Sequence, residues 1–203
     1  EYKGKPIIYH VIRKLENSGL RKIIINTHHL ANKMNEYFAN NSFNSEITLI
    51  HETNLLGTGG AIKNAADFLK GSGNFLVYNA DVDSEIDLHV MIASHIENEA
   101  LATLAVKERS TGRYLLKDGD NNLVGRTENN VDVLYREIRD EYHRTAFCGI
   151  HIISEDIFEY FPENEKFDVI PEYLKLVNKG ITIKVHDIGN AYWLDIGSQV
   201  IET

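Results

Sequence analysis

Asn74-Phe75-Leu76-Val77-Tyr78-Asn79-Ala80-Asp81 is the stretch whose reading decides the fold. Four apolar residues in a row between polar ones describe a short strand with both faces covered, the situation of a sheet sandwiched between helices. A carboxylate, Asp81, stands just past the C-terminal end of that strand, where open α/β sheets place their ligands. An Asp there either closes a turn or faces a ligand.

Working outward, strands and helices alternate. Toward the N-terminus, Gly59 to Leu69 reads as a helix and Ile47 to His51 as a strand. Leu30, Met34, Tyr37 and Phe38 repeat at helical spacing, ending in the polar run Asn40 to Ser45. Lys22 to Thr27 holds Ile23-Ile24-Ile25, a β-branched run that suits a strand covered on both sides. Before it, Ile7, Ile8, Val11, Ile12 and Leu15 mark a helix that starts behind Pro6 and stops at Ser18-Gly19. Toward the C-terminus come a helix from Asp87 to Glu97, with Asp87 as its cap, and a strand from Ala102 to Lys107. The pair Asp118-Gly119 between Tyr114-Leu115-Leu116 and Leu123-Val124 predicts a small antiparallel hairpin insertion. A strand from Thr145 to Ile153, a short helix capped by Ser154, a helix from Val169 to Asn178 and an alternating strand around Ile181 to Val185 complete the chain. This order predicts an α/β, Rossmann-like, doubly wound fold with a mainly parallel sheet, as one domain over residues 1–203.

Composition narrows the function. At 203 residues and 43% hydrophobic content, the chain can bury one sizeable core. A formal net charge of −9 without clustered Lys and Arg argues against nucleic-acid or anionic-membrane partners. One cysteine, Cys148, rules out an internal disulfide framework and fits a reducing compartment, and no apolar run reaches the roughly 18 residues of a membrane span. The expected location is cytoplasmic.

Three segments could carry chemistry. Leu56-Gly57-Thr58-Gly59-Gly60-Ala61 offers three glycines at a helix start, which is either a tight turn or a cradle whose free amides meet a nucleotide. It matches neither the dinucleotide nor the Walker pattern. Asn79-Ala80-Asp81 is the second segment. Asp83, Glu85 and Asp87 beside it read as a solvated loop. The third is Tyr192-Trp193-Leu194-Asp195-Ile196-Gly197, which contains the lone Trp; taken alone it is a packed aromatic with a capping Asp. His28-His29 reads as a loop pair, Cys148 as a small core residue, and Arg136, Arg139, His143 and Arg144 as a salt-bridged face.

Gly4-Lys5-Pro6-Ile7-Ile8, Leu56 to Ala61, Phe75 to Asp81 and Trp193 to Gly197 together resemble the sugar-1-phosphate nucleotidylyltransferases, essentially from end to end. Among these the chain is most similar to the mannose- and heptose-1-phosphate guanylyltransferases and the N-acetylmuramate-1-phosphate uridylyltransferases. The resemblance implies the nucleotide-diphospho-sugar transferase type of fold. It also implies transfer of a nucleoside monophosphate from a nucleoside triphosphate, GTP or UTP favoured, to a sugar 1-phosphate. On it, Asp81 and Asp195 bind Mg2+ and carry catalysis; Glu52, Gly57, Thr58, Gly59 and Asn79 contact the nucleotide; and Gly149 faces the sugar. The family's glycine-rich loop and first strand, expected ahead of Gly4, are absent from this sequence, and its Glu-Lys-Pro sugar motif is not evident around Gly125 to Glu128. A catalytically impaired, nucleotide-binding or regulatory homologue is therefore the alternative expectation.

Overall fold

The computed structural model describes residues 1–199, and their contacts divide into two compact units. Unit 1 comprises Glu1–Leu69 with Phe161–Val169. Its first helix, α1 (Ile7–Asn17), follows Pro6 and buries Ile8, Val11, Ile12 and Leu15 along one stripe. Glu16, also buried, accepts from the Asn44 and Ser45 amides at 2.5 and 2.9 Å, tying the helix to the polar turn before the second strand.

Strand β1 (Lys22–Thr27) pairs parallel with β2 (Glu46–His51) in unbroken register from Lys22↔Glu46 to Thr27↔His51. The structure corrects the expectation that β1 is covered on both sides: Ile23, Ile25 and Thr27 are buried while Lys22 and Asn26 are exposed, a one-faced alternation. Between them, α2 (Ala31–Asn40) buries no residue fully, and Leu30 is not part of it. Leu30 precedes the helix in the left-handed region, with φ 60°, and is exposed. The helix is held by rings: Phe43 lies 5.6 Å from Phe38, 6.3 Å from Tyr37 and 6.2 Å from Tyr9 of α1. The single helix expected from Gly59 to Leu69 is two, α3 (Gly57–Asn64) and α4 (Ala66–Leu69), broken at Ala65.

Unit 2 holds a seven-stranded sheet built from β3 (Asn74–Tyr78), β5 (Ala102–Lys107), β6 (Tyr114–Lys117), β7 (Leu123–Glu128), β8 (Val131–Leu134), β9 (His143–Ser154) and β10 (Ile183–Asp187). The order is β10-β5-β9-β6-β7-β8, with β3 also on β9. A separate ribbon joins β4 (Val82–Ser84) to β11 (Trp193–Asp195), antiparallel. Flanking helices are α5 (Leu88–Glu97), capped by Asp87 accepting from the His89 and Val90 amides, and α6 (Val169–Asn178). A 3-10 turn over Glu155–Glu159 starts at the Ser154 cap, and α7 (Ile196–Gln199) follows β11.

The α/β class stands, and strand direction is the correction. Only β10–β5 runs parallel in this sheet; β9 is antiparallel to β3, β5 and β6, and β6–β7 and β7–β8 are antiparallel hairpin pairs. For the two hairpin pairs the cause lies in connection length. The turns at 118–122 and at Asn129-Asn130 are too short for a crossover, and Asn121, Asn129 and Asn130 take the positive φ that tight hairpin turns require. The segment expected as a small insertion therefore extends the main sheet as β6, β7 and β8. At its centre β5 is buried along Ala102–Val106, with Leu104, Val106, Ile150, Ile153 and Leu174 among the fully covered side chains. No helix among the described residues is long and apolar enough to cross a membrane.

Candidate active site

Asp81 and Asp195, 114 positions apart in sequence, meet through the β4–β11 ribbon. Asp81 immediately precedes β4, and Asp195 ends β11 in register with Val82. The Ile196 amide then donates to the Asp81 carbonyl at 2.9 Å, locking the two ends together. A β-carbon placed on Gly197 would stand 2.7 Å from Asp81 Oδ2 and 3.4 Å from Asp195 Oδ1, so both carboxylates border one small space that this glycine leaves open. Asp81 is exposed and Asp195 half-buried. Among the described residues, no group of three or more His, Cys, Asp or Glu forms a metal cluster. A two-carboxylate site suits a hard cation that keeps several waters and takes its remaining ligands from phosphate oxygens.

The strand beside this pair is bent to fit it. β9 is irregular where it faces β5: Leu104 pairs with His151 and Val106 with Phe147, so three β9 residues, Cys148 to Ile150, oppose the single Ala105. Gly149 sits in that bulge with φ 73°, and a β-carbon there would strike the Asn79 side chain at 2.7 Å. Two constraints, backbone and steric, thus demand glycine. The Asn79 amide donates to the Gly149 carbonyl at 2.9 Å, and the Trp193 indole donates to the Cys148 carbonyl at 2.8 Å. Asn79, Asp81, Gly149 and Asp195 are therefore brought together. Tyr78, just upstream, hydrogen-bonds Ser84 at 3.0 Å, and burial pushes its phenol up to about 12.

Of the residues expected to hold the nucleotide, Asn79 lies in unit 2 and Glu52, Gly57, Thr58 and Gly59 in unit 1, where their surroundings correct one expectation. The Gly59 and Gly60 amides at the start of α3 are not free: both donate to the Phe167 carbonyl, at 3.0 and 3.1 Å. The Thr58 hydroxyl accepts from the Val169 amide at 3.1 Å. A β-carbon on Gly57 would lie 2.7 Å from the Phe167 carbonyl oxygen; on Gly59 it would meet the Phe167 ring, and on Gly60 the Glu165 carbonyl. These glycines admit the 161–169 segment, which Lys63 secures by donating to the Pro162 and Glu163 carbonyls. Glu52 is buried, and its carboxylate accepts from Asn26 Nδ2 at 2.9 Å and the Leu56 amide at 3.3 Å. It fixes the strand end and the glycine turn as one piece.

The remaining readings follow the bland expectation. His28 Nδ1 bonds the Glu52 carbonyl at 2.8 Å, a loop contact. Cys148 is fully buried, and burial pushes its thiol up to about 12. Arg144 pairs with Asp132 at 2.8 Å. Around the absent Glu-Lys-Pro motif, Glu128 accepts from Arg126 at 2.7 Å and from the Tyr135 hydroxyl at 2.6 Å. Sequence reasoning missed Arg109, whose guanidinium lies over the Trp193 ring; a lone Arg past a strand end gives no signal.

The nucleotidyl transferase family model matches residues 1–200 of this chain. The chain is 28% identical over 196 residues to the D-glycero-alpha-D-manno-heptose 1-phosphate guanylyltransferase of Aneurinibacillus thermoaerophilus, covering 96% of this chain and 80% of that protein. It is 24% identical to the mannose-1-phosphate guanylyltransferase of Mycobacterium tuberculosis, where it spans 53% of the relative's length. Among solved structures, HddC from Yersinia pseudotuberculosis complexed with GMP-PN superposes with a TM-score of 0.76 at 27% identity, covering 97% of this chain and 82% of that one. UDP-glucose pyrophosphorylase from Acinetobacter baumanii, at 16% identity, shares the fold with a TM-score of 0.78. With the acid pair, the bulged strand and a family match that runs almost the whole length, the chain belongs to the nucleotidyl transferase family of enzymes.

Proposed function

We propose that this chain transfers a nucleoside monophosphate from a nucleoside triphosphate to a sugar 1-phosphate, releasing pyrophosphate and forming a nucleoside diphosphate sugar. An oxygen of the sugar phosphate attacks the α-phosphorus, and the bond from that phosphorus to the bridging oxygen of the β-phosphate breaks. GTP is the proposed donor, ahead of UTP, and a manno-configured sugar phosphate the acceptor. Supporting this choice, two of the relatives at 27–28% identity are heptose 1-phosphate guanylyltransferases.

The observation that carries the reading is the acid pair. Two like charges bordering one space repel unless a cation sits between them, and Asp81 and Asp195 are the residues that would hold Mg2+. When bound, the ion offsets negative charge on the α-phosphate and orients it. The protein's own work is positioning. Asn79 and Gly149 shape the floor beside the pair, with Gly149 assigned to the sugar. In unit 1, Glu52, Gly57, Thr58 and Gly59 are assigned to base and ribose. Since the Gly59 amide and the glycine side facing Phe167 are already taken, contact there is assigned to the remaining Gly57 and Thr58 backbone.

The test is pyrophosphate release by the full-length protein with Mg2+, each of the four nucleoside triphosphates and a panel of sugar 1-phosphates. GTP with a manno-configured acceptor is expected to turn over fastest. Asp81→Asn and Asp195→Asn should each abolish turnover with an unchanged thermal melt. Nucleotide binding without turnover for any acceptor would instead identify an impaired homologue, and wild-type rates in both variants would remove the acid pair from the chemistry.

A further inference from the structure

Three consecutive carbonyls of the β9 bulge each accept from a different element. The Gly149 carbonyl takes the Asn79 amide, two residues before Asp81. The Cys148 carbonyl takes the indole N–H of Trp193, two residues before Asp195. The Phe147 carbonyl takes Arg109 Nη2 at 3.0 Å. The same guanidinium carbon stands 4.4 Å from the centroid of the Trp193 ring, so Arg109 covers the face of the indole whose edge bonds the bulge. Arg109 Nε is buried without a hydrogen-bond partner. Leaving a donor of a charged group unmet is costly, and the contact of the cation with the indole ring is the interaction that offsets it. Lys107, two residues upstream, donates to the Gly189 and Ala191 carbonyls at 3.0 and 2.6 Å and so anchors the turn that leads into β11.

Neither Arg109 nor Trp193 belongs to the acid pair, yet both stand on the rail that sets it. A strand of only three residues, Trp193–Asp195, cannot fix the direction of its last carboxylate by its own ladder. Holding its first residue by a hydrogen bond at the ring edge and a cation on the ring face restrains the strand that carries Asp195. We propose that Arg109 is a positioning residue: by clamping Trp193 onto the Cys148 carbonyl it holds Asp195 beside Asp81 in the arrangement that binds a divalent cation. The inference rests on the proposed metal role of the two aspartates.

This sequence contains one tryptophan, so the change in fluorescence on substituting Arg109 reports Trp193. In the full-length protein, acrylamide quenching measures how well the indole is covered, and electron paramagnetic resonance of free Mn2+ measures cation affinity. Wild type should bind Mn2+ saturably, and Asp81→Asn should lose that site. Arg109→Gln should leave the thermal melt within a few degrees of wild type, raise acrylamide quenching and weaken Mn2+ by about tenfold, the range found for groups that orient metal ligands. Its turnover should fall at low Mg2+ and recover at high Mg2+, which a general packing defect would not do. Arg109→Lys keeps the charge but not the guanidinium that both bonds the Phe147 carbonyl and covers the ring, and should fall between; it also serves if Arg109→Gln unfolds. Unchanged Mn2+ affinity in a folded Arg109 variant would overturn the proposal. Mn2+ binding indifferent to Asp81→Asn would overturn the metal reading itself, and with it any role for Arg109 in positioning.

Discussion

Asp81 Oδ2 lies 2.7 Å from the point that a β-carbon on Gly197 would occupy. Gly197 is in the first turn of a helix and its φ is not in the left-handed region, so alanine meets no backbone objection there. What the methyl meets is the end of a carboxylate, which can swing away. Gly197→Ala is therefore expected to fold with wild-type stability, or slightly better, while pushing Asp81 from Asp195. Divalent-cation affinity should drop about tenfold, with turnover falling in parallel at limiting Mg2+. A Mn2+ titration beside a thermal melt separates the two effects.

The glycines at the start of α3 predict the opposite pattern. At Gly60 an added methyl would run into the Glu165 carbonyl and the Leu56 β-carbon, and at Gly59 into the Phe167 ring. Backbone cannot swing aside as a carboxylate does, so Gly60→Ala is expected to cost about 1–3 kcal/mol, the usual range for overpacking. Gly112, with nothing within 4 Å and no positive φ, is the control: Gly112→Ala should be near neutral. Urea denaturation midpoints at constant slope check both.

Cys148 gives a chemical prediction. Its thiol is fully buried and burial pushes it up to about 12, so almost no thiolate forms at pH 8. An aromatic disulfide reagent should leave the native protein unmodified over hours and react with one equivalent in denaturant. Fast labelling of native protein would show that the bulge around Gly149 opens locally.

Much of this fold was legible because its signals are local. Asp87 caps α5 and β5 spans Ala102–Lys107 as the pattern indicates, since a cap and a strand are each written within a few residues. Strand direction was not legible in the same way. Thr145 to Ile153, within β9, read as a strand, but nothing inside it says that it pairs with β3, β5 and β6, all antiparallel. The glycine turn was legible as a site of close approach, but not the segment of chain that packs on it. The partner is the chain itself at Glu165 and Phe167, about a hundred residues on. Asp81 stood out by its place after a buried strand, but its pairing with Asp195 emerged only through family resemblance, because two acids on distant turns have no spacing to read. Arg109 left no trace at all: its role depends on which ring it covers.

The buried histidines set how the fold responds to acid. His151 bonds the Tyr173 hydroxyl through Nδ1 at 2.8 Å and is 2% exposed, and burial holds its pKa down at about 3. Burial lowers His95 and His186 in the same direction. An unfolded histidine takes its proton near pH 6.5. Below that pH the unfolded chain binds protons that the folded chain refuses, so stability is complete above about pH 6.5 and is lost as pH falls toward 3. Glu16 acts in a lower window. Burial raises its pKa, but the Ser45 and Asn44 amides and Arg13 bring it net below the usual glutamate range, so its contribution fades only once pH approaches that of a free carboxylate. Between pH 6.5 and 5 the histidines therefore dominate, each contributing a slope of at most about 1.4 kcal/mol per pH unit. His151→Gln keeps an acceptor for Tyr173 and cannot titrate. Its unfolding free energy should be lower than wild type at pH 7.5 yet fall less steeply on acidification, with the remaining slope coming from His95 and His186. Parallel urea melts at half-unit pH steps measure this, and equal slopes in the two proteins would mean that His151 is protonated in the fold.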